Sequence, residues 1–94
     1  MARTTILAPG VTAAASVDIV VAQGQSVTVS IYQDSAGDYP AYVKFIVSQI
    51  TPGLINPIAL LDNHLRQALL VGPGTFRVSR PLYVGTPIGA FTEN

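Results

Sequence analysis

Val27-Thr28-Val29-Ser30-Ile31-Tyr32 is the stretch on which the fold turns. Apolar and polar residues alternate through it without a break, and most of the apolar ones are β-branched. A period of two puts Val27, Val29 and Ile31 on one face of a pleated strand and Thr28, Ser30 and Tyr32 on the other. β-Branched side chains suit such a surface and are disfavoured in a helix. Working outward, Val17, Ile19 and Val21 repeat the pattern just upstream. The break at Gln23-Gly24-Gln25 predicts a hairpin between the two runs, with Gly24 free to take a positive φ.

Downstream, Asp34-Ser35-Ala36-Gly37-Asp38 reads as a polar turn, and Tyr39-Pro40 leads into a long strand candidate, Ala41 to Ile50. Val43, Phe45 and Val47 fall on one face of it; Tyr42, Lys44, Ile46, Ser48 and Ile50 fall on the other. Both faces are substantially apolar, which predicts a central strand or one whose second face is covered by another subunit. Residues 51–57, Thr-Pro-Gly-Leu-Ile-Asn-Pro, read as an irregular Pro/Gly loop, because two prolines and a glycine oppose both a helix and a central strand.

Ile58 to Leu61 fits a short strand or a helical turn. For 62–70 the spacing of Leu61, Leu65 and Leu69 would also suit a helix capped by Asp62. Fewer than three turns are available before Gly72, and a turn at Asp62-Asn63 followed by a strand from about Arg66 to Val71 is the preferred reading. Gly72-Pro73-Gly74 then predicts a tight type II reversal, with Pro73 and Gly74 at its centre and Gly74 at positive φ. Thr75 to Arg80 alternates again, with Phe76 and Val78 inward. One or two short strands around Gly85-Thr86-Pro87 close the chain. Seven to eight short strands separated by regular turn signals predict an all-β domain, a small antiparallel β-sandwich or barrel. The 94 residues make one domain, 1–94, with residues 1–14 read as an extended arm.

Charge is what this chain lacks. Asp, Glu, Lys and Arg make up 11% of it, against about 25% in an average soluble domain. Five basic residues balance five acidic ones, so no electropositive face for a nucleic acid is expected. No window approaches the roughly 18 apolar residues of a membrane helix, and no membrane partner is expected. Cysteine is absent, which removes disulfides and thiolate chemistry.

Reactive constellations are equally sparse. His64 is the single histidine; with Asp62 it supplies two candidate metal ligands, short of a site. No serine stands in a nucleophile-elbow context beside it. Asp34 and Asp38 lack the carboxylate density of a calcium loop and suit an Asx turn. Gly72 and Gly74 have no Gly-Lys-Ser/Thr after them to cradle a phosphate. No cofactor, metal site or enzyme activity is expected. What remains is contact chemistry. Tyr39, Tyr42, Arg77 and Arg80 are of the residue types favoured as interface anchors, and Ile46 and Ile50 with Tyr42 form an apolar row that wants a partner.

One pattern is familiar. The run Val27-Thr28-Val29-Ser30-Ile31 is followed later by Leu69-Leu70-Val71, by Gly72-Pro73-Gly74-Thr75-Phe76-Arg77-Val78-Ser79-Arg80-Pro81, and by a close in Val84-Gly85 and Ile88-Gly89-Ala90-Phe91. This order resembles the small virion-associated structural proteins of tailed bacteriophages. The match covers mainly residues 66–91, more loosely 15–33, and the segment 51–57 has no counterpart in the pattern. The resemblance implies a structural virion protein, assembled in the host cytoplasm, that decorates or cements a capsid by bridging coat subunits. It implies the major capsid protein or another virion protein as partner, and a homo-oligomer, a trimer above all. The alternative is a binding module for a host-surface glycan, or for a fibre anchored to the particle, with Tyr39, Tyr42, Asp38 and Asn63 as its candidates.

Overall fold

The computed structural model describes residues 3–33 and 43–93. They form nine strands: β1 (Arg3–Gly10), β2 (Ala14–Ala15), β3 (Ile19–Val21), β4 (Ser26–Gln33), β5 (Phe45–Thr51), β6 (Leu54–Leu61), β7 (Gln67–Val71), β8 (Gly74–Arg80) and β9 (Ile88–Glu93). Two antiparallel sheets result. The first runs β1-β9-β4-β7; the second runs β2-β8-β5-β6, with β3 also on β8. The sheets pack face to face and do not close into a barrel.

The pairing has one simple logic. Arg3 opposes Glu93, Ala14 opposes Arg80, Ile19 opposes Phe76, Ser26 opposes Val71, and at the far end Thr51 opposes Leu54. The paired strands therefore follow one long antiparallel ribbon doubled back at Pro52-Gly53. Successive lengths of that ribbon alternate between the sheets: β1/β9 in the first, β2 and β3 on β8 in the second, β4/β7 in the first, β5/β6 in the second. The pairs β4/β9 and β5/β8 join neighbouring lengths. This is the strand order of a jelly roll.

The inward rows meet the sequence expectation. Val29, Phe45, Val47, Leu61, Leu70, Val78, Ile88 and Ala90 are essentially sealed from solvent and form one contiguous core. Val43, Phe45 and Val47 share the inner face as read, and β5 is an interior strand between β8 and β6. The turn at Asp62-Asn63 and the strand after it also stand, so 62–70 is not a helix. Oδ1 of Asp62 accepts the backbone N–H groups of His64 (2.9 Å) and Leu65 (3.0 Å), holding the Asx-type turn that precedes β7.

Four expectations are corrected. Residues 3–10 are not a free arm: β1 is hydrogen-bonded along β9 as the edge of the first sheet. Residues 51–57 are not an irregular loop, because Thr51 ends β5 and Leu54–Leu61 is a strand. Pro57 is accommodated because β6 is an edge strand and its ladder with β5 shifts register between Val47 and Ser48, the two settings in which a sheet tolerates proline. The link around Gly24 is not a hairpin either; β3 lies in the second sheet and β4 in the first, so residues 22–25 cross between them.

The fourth correction concerns Gly72-Pro73-Gly74. It also crosses between sheets, from β7 to β8, and runs alongside the 22–25 crossing: the N–H of Gly72 donates to the carbonyl of Gln25 at 3.0 Å. The Gly72–Pro73 peptide is cis and Gly74 does not have a positive φ, so the turn is not type II. Gly72 is the constrained glycine. A Cβ there would run into the backbone carbonyls of Val21 and Ala22. At Gly74 a Cβ would meet only side-chain atoms of Phe76 and Gln49, at 3.1–3.3 Å.

Candidate interaction surface

The β5–β6 hairpin is built by its turn. Thr51 and Leu54 are paired, Pro52 and Gly53 lie between them, and Gly53 has φ +77°. Proline followed by a glycine at positive φ is the arrangement of a type II turn. Opposed residues of an antiparallel pair share a face. Ile46 therefore lies beside Leu60 and Ser79, and Ile50 beside Ile55 and Thr75, all on the outer face of the second sheet. Leu61 and Ala59 point the other way, into the core.

Toward the turn the hairpin outruns the sandwich. Leu54, Ile55, Asn56, Pro57 and Ile58 are consecutive and all exposed. Successive strand residues are exposed together only where neither face is covered, so this end projects beyond the opposing sheet. Leu54 keeps 55% of its surface open and Ile55 keeps 59%. A shallow depression lined by Ile50, Thr51, Gly53, Leu54 and Ile55 opens beside the turn.

No charged residue stands on the hairpin between Phe45 and Leu61. The charges around it are used internally. Lys44 donates to Asp62 Oδ2 at 2.9 Å. That bond, with the two backbone N–H groups on Oδ1, holds the Asp62 carboxyl well below the usual carboxylate range. Arg77, on the same outer face, donates from Nε and a terminal nitrogen to Asp18 Oδ1 at 3.0 and 2.8 Å. On the first sheet Arg3 stacks 4.1 Å from the Phe91 ring centroid and lies 3.7 Å from Glu93. Each of the three described acids thus has a basic partner.

The residues expected to make contacts fare differently. Ile46 and Ile50 take the outward positions read for them, Ile46 exposed and Ile50 half-buried. Arg77 faces solvent, engaged with Asp18. Arg80 is not on the surface: it is 7% exposed at the end of the inward row of Phe76 and Val78. Its guanidinium donates to the carbonyls of Thr12 (2.7 Å), Ala8 (2.7 Å) and Ile88 (3.1 Å). Arg80 therefore ties β8 to the ends of β1 and β9. Tyr83 adds to this tie, its N–H donating to Val11 at 2.9 Å and its hydroxyl to Thr86 at 2.7 Å.

Asn63 sits in the Asx turn, where its Oδ1 accepts from Arg66 at 2.9 Å, and His64 is exposed on the same turn. Tyr39, Tyr42, Asp34 and Asp38 lie outside the described residues. Among the described residues no group of three or more His, Asp or Glu could hold a metal ion, and no helix is long and apolar enough to cross a membrane. Sequence reasoning missed Leu54, Ile55, Ile58 and Leu60. The available signal was a Pro-Gly pair flanked by apolar, β-branched residues, which is hairpin chemistry.

No protein-family model, curated protein or solved structure matches this chain.

Proposed function

We propose that this chain is a structural component of a virus particle, a protein that decorates or cements a bacteriophage capsid by bridging coat subunits. The observation that carries the proposal is the projecting hairpin, whose exposed residues are uncharged and mostly apolar. Such a surface gains free energy when protein covers it and has nothing to offer a small polar substrate. Two features lend support. The jelly-roll order is used by viral capsid domains, as it is by lectins and cupins, an analogy of fold rather than of site. The order of residues in 66–91 resembles that of small phage virion proteins. The mechanism is mechanical: a stiff β domain adds interface area between coat subunits at many equivalent positions, so a modest contact is multiplied over the particle.

Co-sedimentation with assembled coat protein tests this. The chain is expected in the particle fraction at a fixed ratio to coat subunits. A chain that stays in the supernatant at concentrations well above those of the particle sites would overturn the proposal.

A further inference from the structure

We infer that β7 is the edge at which a second copy of this chain extends the first sheet, strand beside strand across a two-fold axis. Backbone hydrogen bonding carries this, and the hairpin plays no part in it. A bond marks each end of the β4–β7 ladder: the N–H of Ile31 donates to the Arg66 carbonyl at 2.9 Å, and that of Gly72 to the Gln25 carbonyl at 3.0 Å. The register between them is unbroken. Backbone groups of an antiparallel strand turn alternately toward and away from a given neighbour, so residues 66, 68, 70 and 72 bond to β4. The N–H and C=O groups of Gln67, Leu69 and Val71 point the other way, and among the described residues no strand pairs with that side. Their side chains stand on the outer face of the sheet, Leu69 64% and Val71 61% exposed.

The other three sheet edges are blunted. β1 carries Arg3 and Pro9, and its ladder with β9 slips register twice. β6 carries Pro57 and a register shift. The edge beside β8 is divided into β2 and β3, two and three residues long. Prolines, charges, bulges and short strands are the devices that keep an edge from pairing with another chain. β7, Gln67-Ala68-Leu69-Leu70-Val71, has none of them.

A second copy is selected by the symmetry of the open groups, which are centred on Leu69. An antiparallel β7 from that copy sets Leu69 against its own equivalent, Gln67 against the second copy's Val71, and Val71 against the second copy's Gln67. Each such pair exchanges both of its hydrogen bonds, so every open N–H and C=O from Gln67 to Val71 is used on both strands. The exposed Leu69 and Val71 gain cross-strand neighbours on the outer face. Arg66, at the start of the strand, comes opposite the second copy's Gly72, which has no side chain to displace, and the two arginines lie at opposite ends of the pair. Such a contact is isologous. With the remaining edges blunted it stops at two copies, in one continuous sheet with four strands from each.

Sedimentation velocity of the full chain over a concentration series tests the inference, with Leu69→Pro and Leu69→Lys as separate variants. Proline at this position removes an outward N–H and no bond to β4, which an edge strand tolerates. Lysine sets two like charges side by side across the axis. Circular dichroism checks that the strands persist, and Ile55→Lys, at an exposed position on the hairpin, is the control. Wild type and Ile55→Lys should form a dimer, and each Leu69 variant should raise the half-association concentration roughly tenfold or more. Residue-resolved amide exchange gives a second reading. The N–H groups of Ala68 and Leu70 should be protected at every concentration, those of Gln67, Leu69 and Val71 only where the dimer is populated. A wild-type chain monomeric at every concentration would overturn the inference, as would a trimer, or Leu69 variants that associate as wild type does. So would a dimer in which the amides of Gln67, Leu69 and Val71 still exchange fast.

Discussion

At the scale of single residues, the constraints sit where two stretches of backbone or a buried cation meet. Gly72 lies against the carbonyls of Val21 and Ala22, and backbone cannot move aside as a flexible side chain can. Gly72→Ala should cost about 2–4 kcal/mol, and Gly74→Ala clearly less, since its neighbours are side-chain atoms of Phe76 and Gln49. Chemical denaturation of the pair decides this; equal midpoints would contradict it. Arg80→Ala strips three carbonyls of a charged donor and should cost about 2–4 kcal/mol. Arg80→Lys should recover little, because an ammonium cannot reproduce the planar fork.

Asp62 supplies the pH dependence. Its carboxyl is held below the normal range, first by the Lys44 hydrogen bond and then by the N–H groups of Leu65 and His64. A lowered folded pKa stabilises the fold above the unfolded value of about 3.9. That contribution is lost as pH falls from there toward the folded value. Thermal melts between pH 6 and pH 2 should therefore show a shallower acid limb for Asp62→Asn than for wild type. Parallel curves would show that the site contributes nothing to the titration of stability.

At the scale of elements, local pattern identified strands well and their connections poorly. The alternation of Val27, Val29 and Ile31, and of Phe76 and Val78, reports a pleated surface with one buried side whatever the partner strand is. It cannot report which sheet the strand joins. Gly24 and Gly72-Pro73-Gly74 carry turn chemistry that serves a crossing between sheets as readily as a hairpin. The real Pro-Gly hairpin is Pro52-Gly53, masked in the sequence by Pro57 five residues on, which is tolerated only because β6 is an edge strand. β1 was illegible for a related reason: Arg3-Thr4-Thr5-Ile6-Leu7-Ala8-Pro9 barely alternates, and the strand exists because β9 is there to pair with it. The surface apolar row was half legible, through Ile46 and Ile50. Arg80 was misjudged although its place was legible: two positions beyond Val78 it falls in the inward row, but its residue type was weighed ahead of its place in the alternation. Gly53, at φ +77° with open space around it, gives this scale its own prediction. Gly53→Val should cost about 1–2 kcal/mol through backbone strain alone, while leaving the core spectroscopically unchanged. A variant as stable as wild type would mean that the turn relaxes.

At the scale of the whole molecule, a ribbon folded into two sheets buries one continuous core and uses nearly all of its described charge internally. Among the described residues the β5–β6 hairpin projects with an uncharged, mostly apolar end. The central claim is that this hairpin is covered by protein in the assembled state. Amide hydrogen exchange across Leu54–Leu61 tests it most directly, comparing the chain in dilute solution with the chain bound to assembled particles. Strong slowing of exchange on the particles, concentrated in this hairpin, is the predicted result; exchange equally fast in both states, with the chain demonstrably bound, would contradict it.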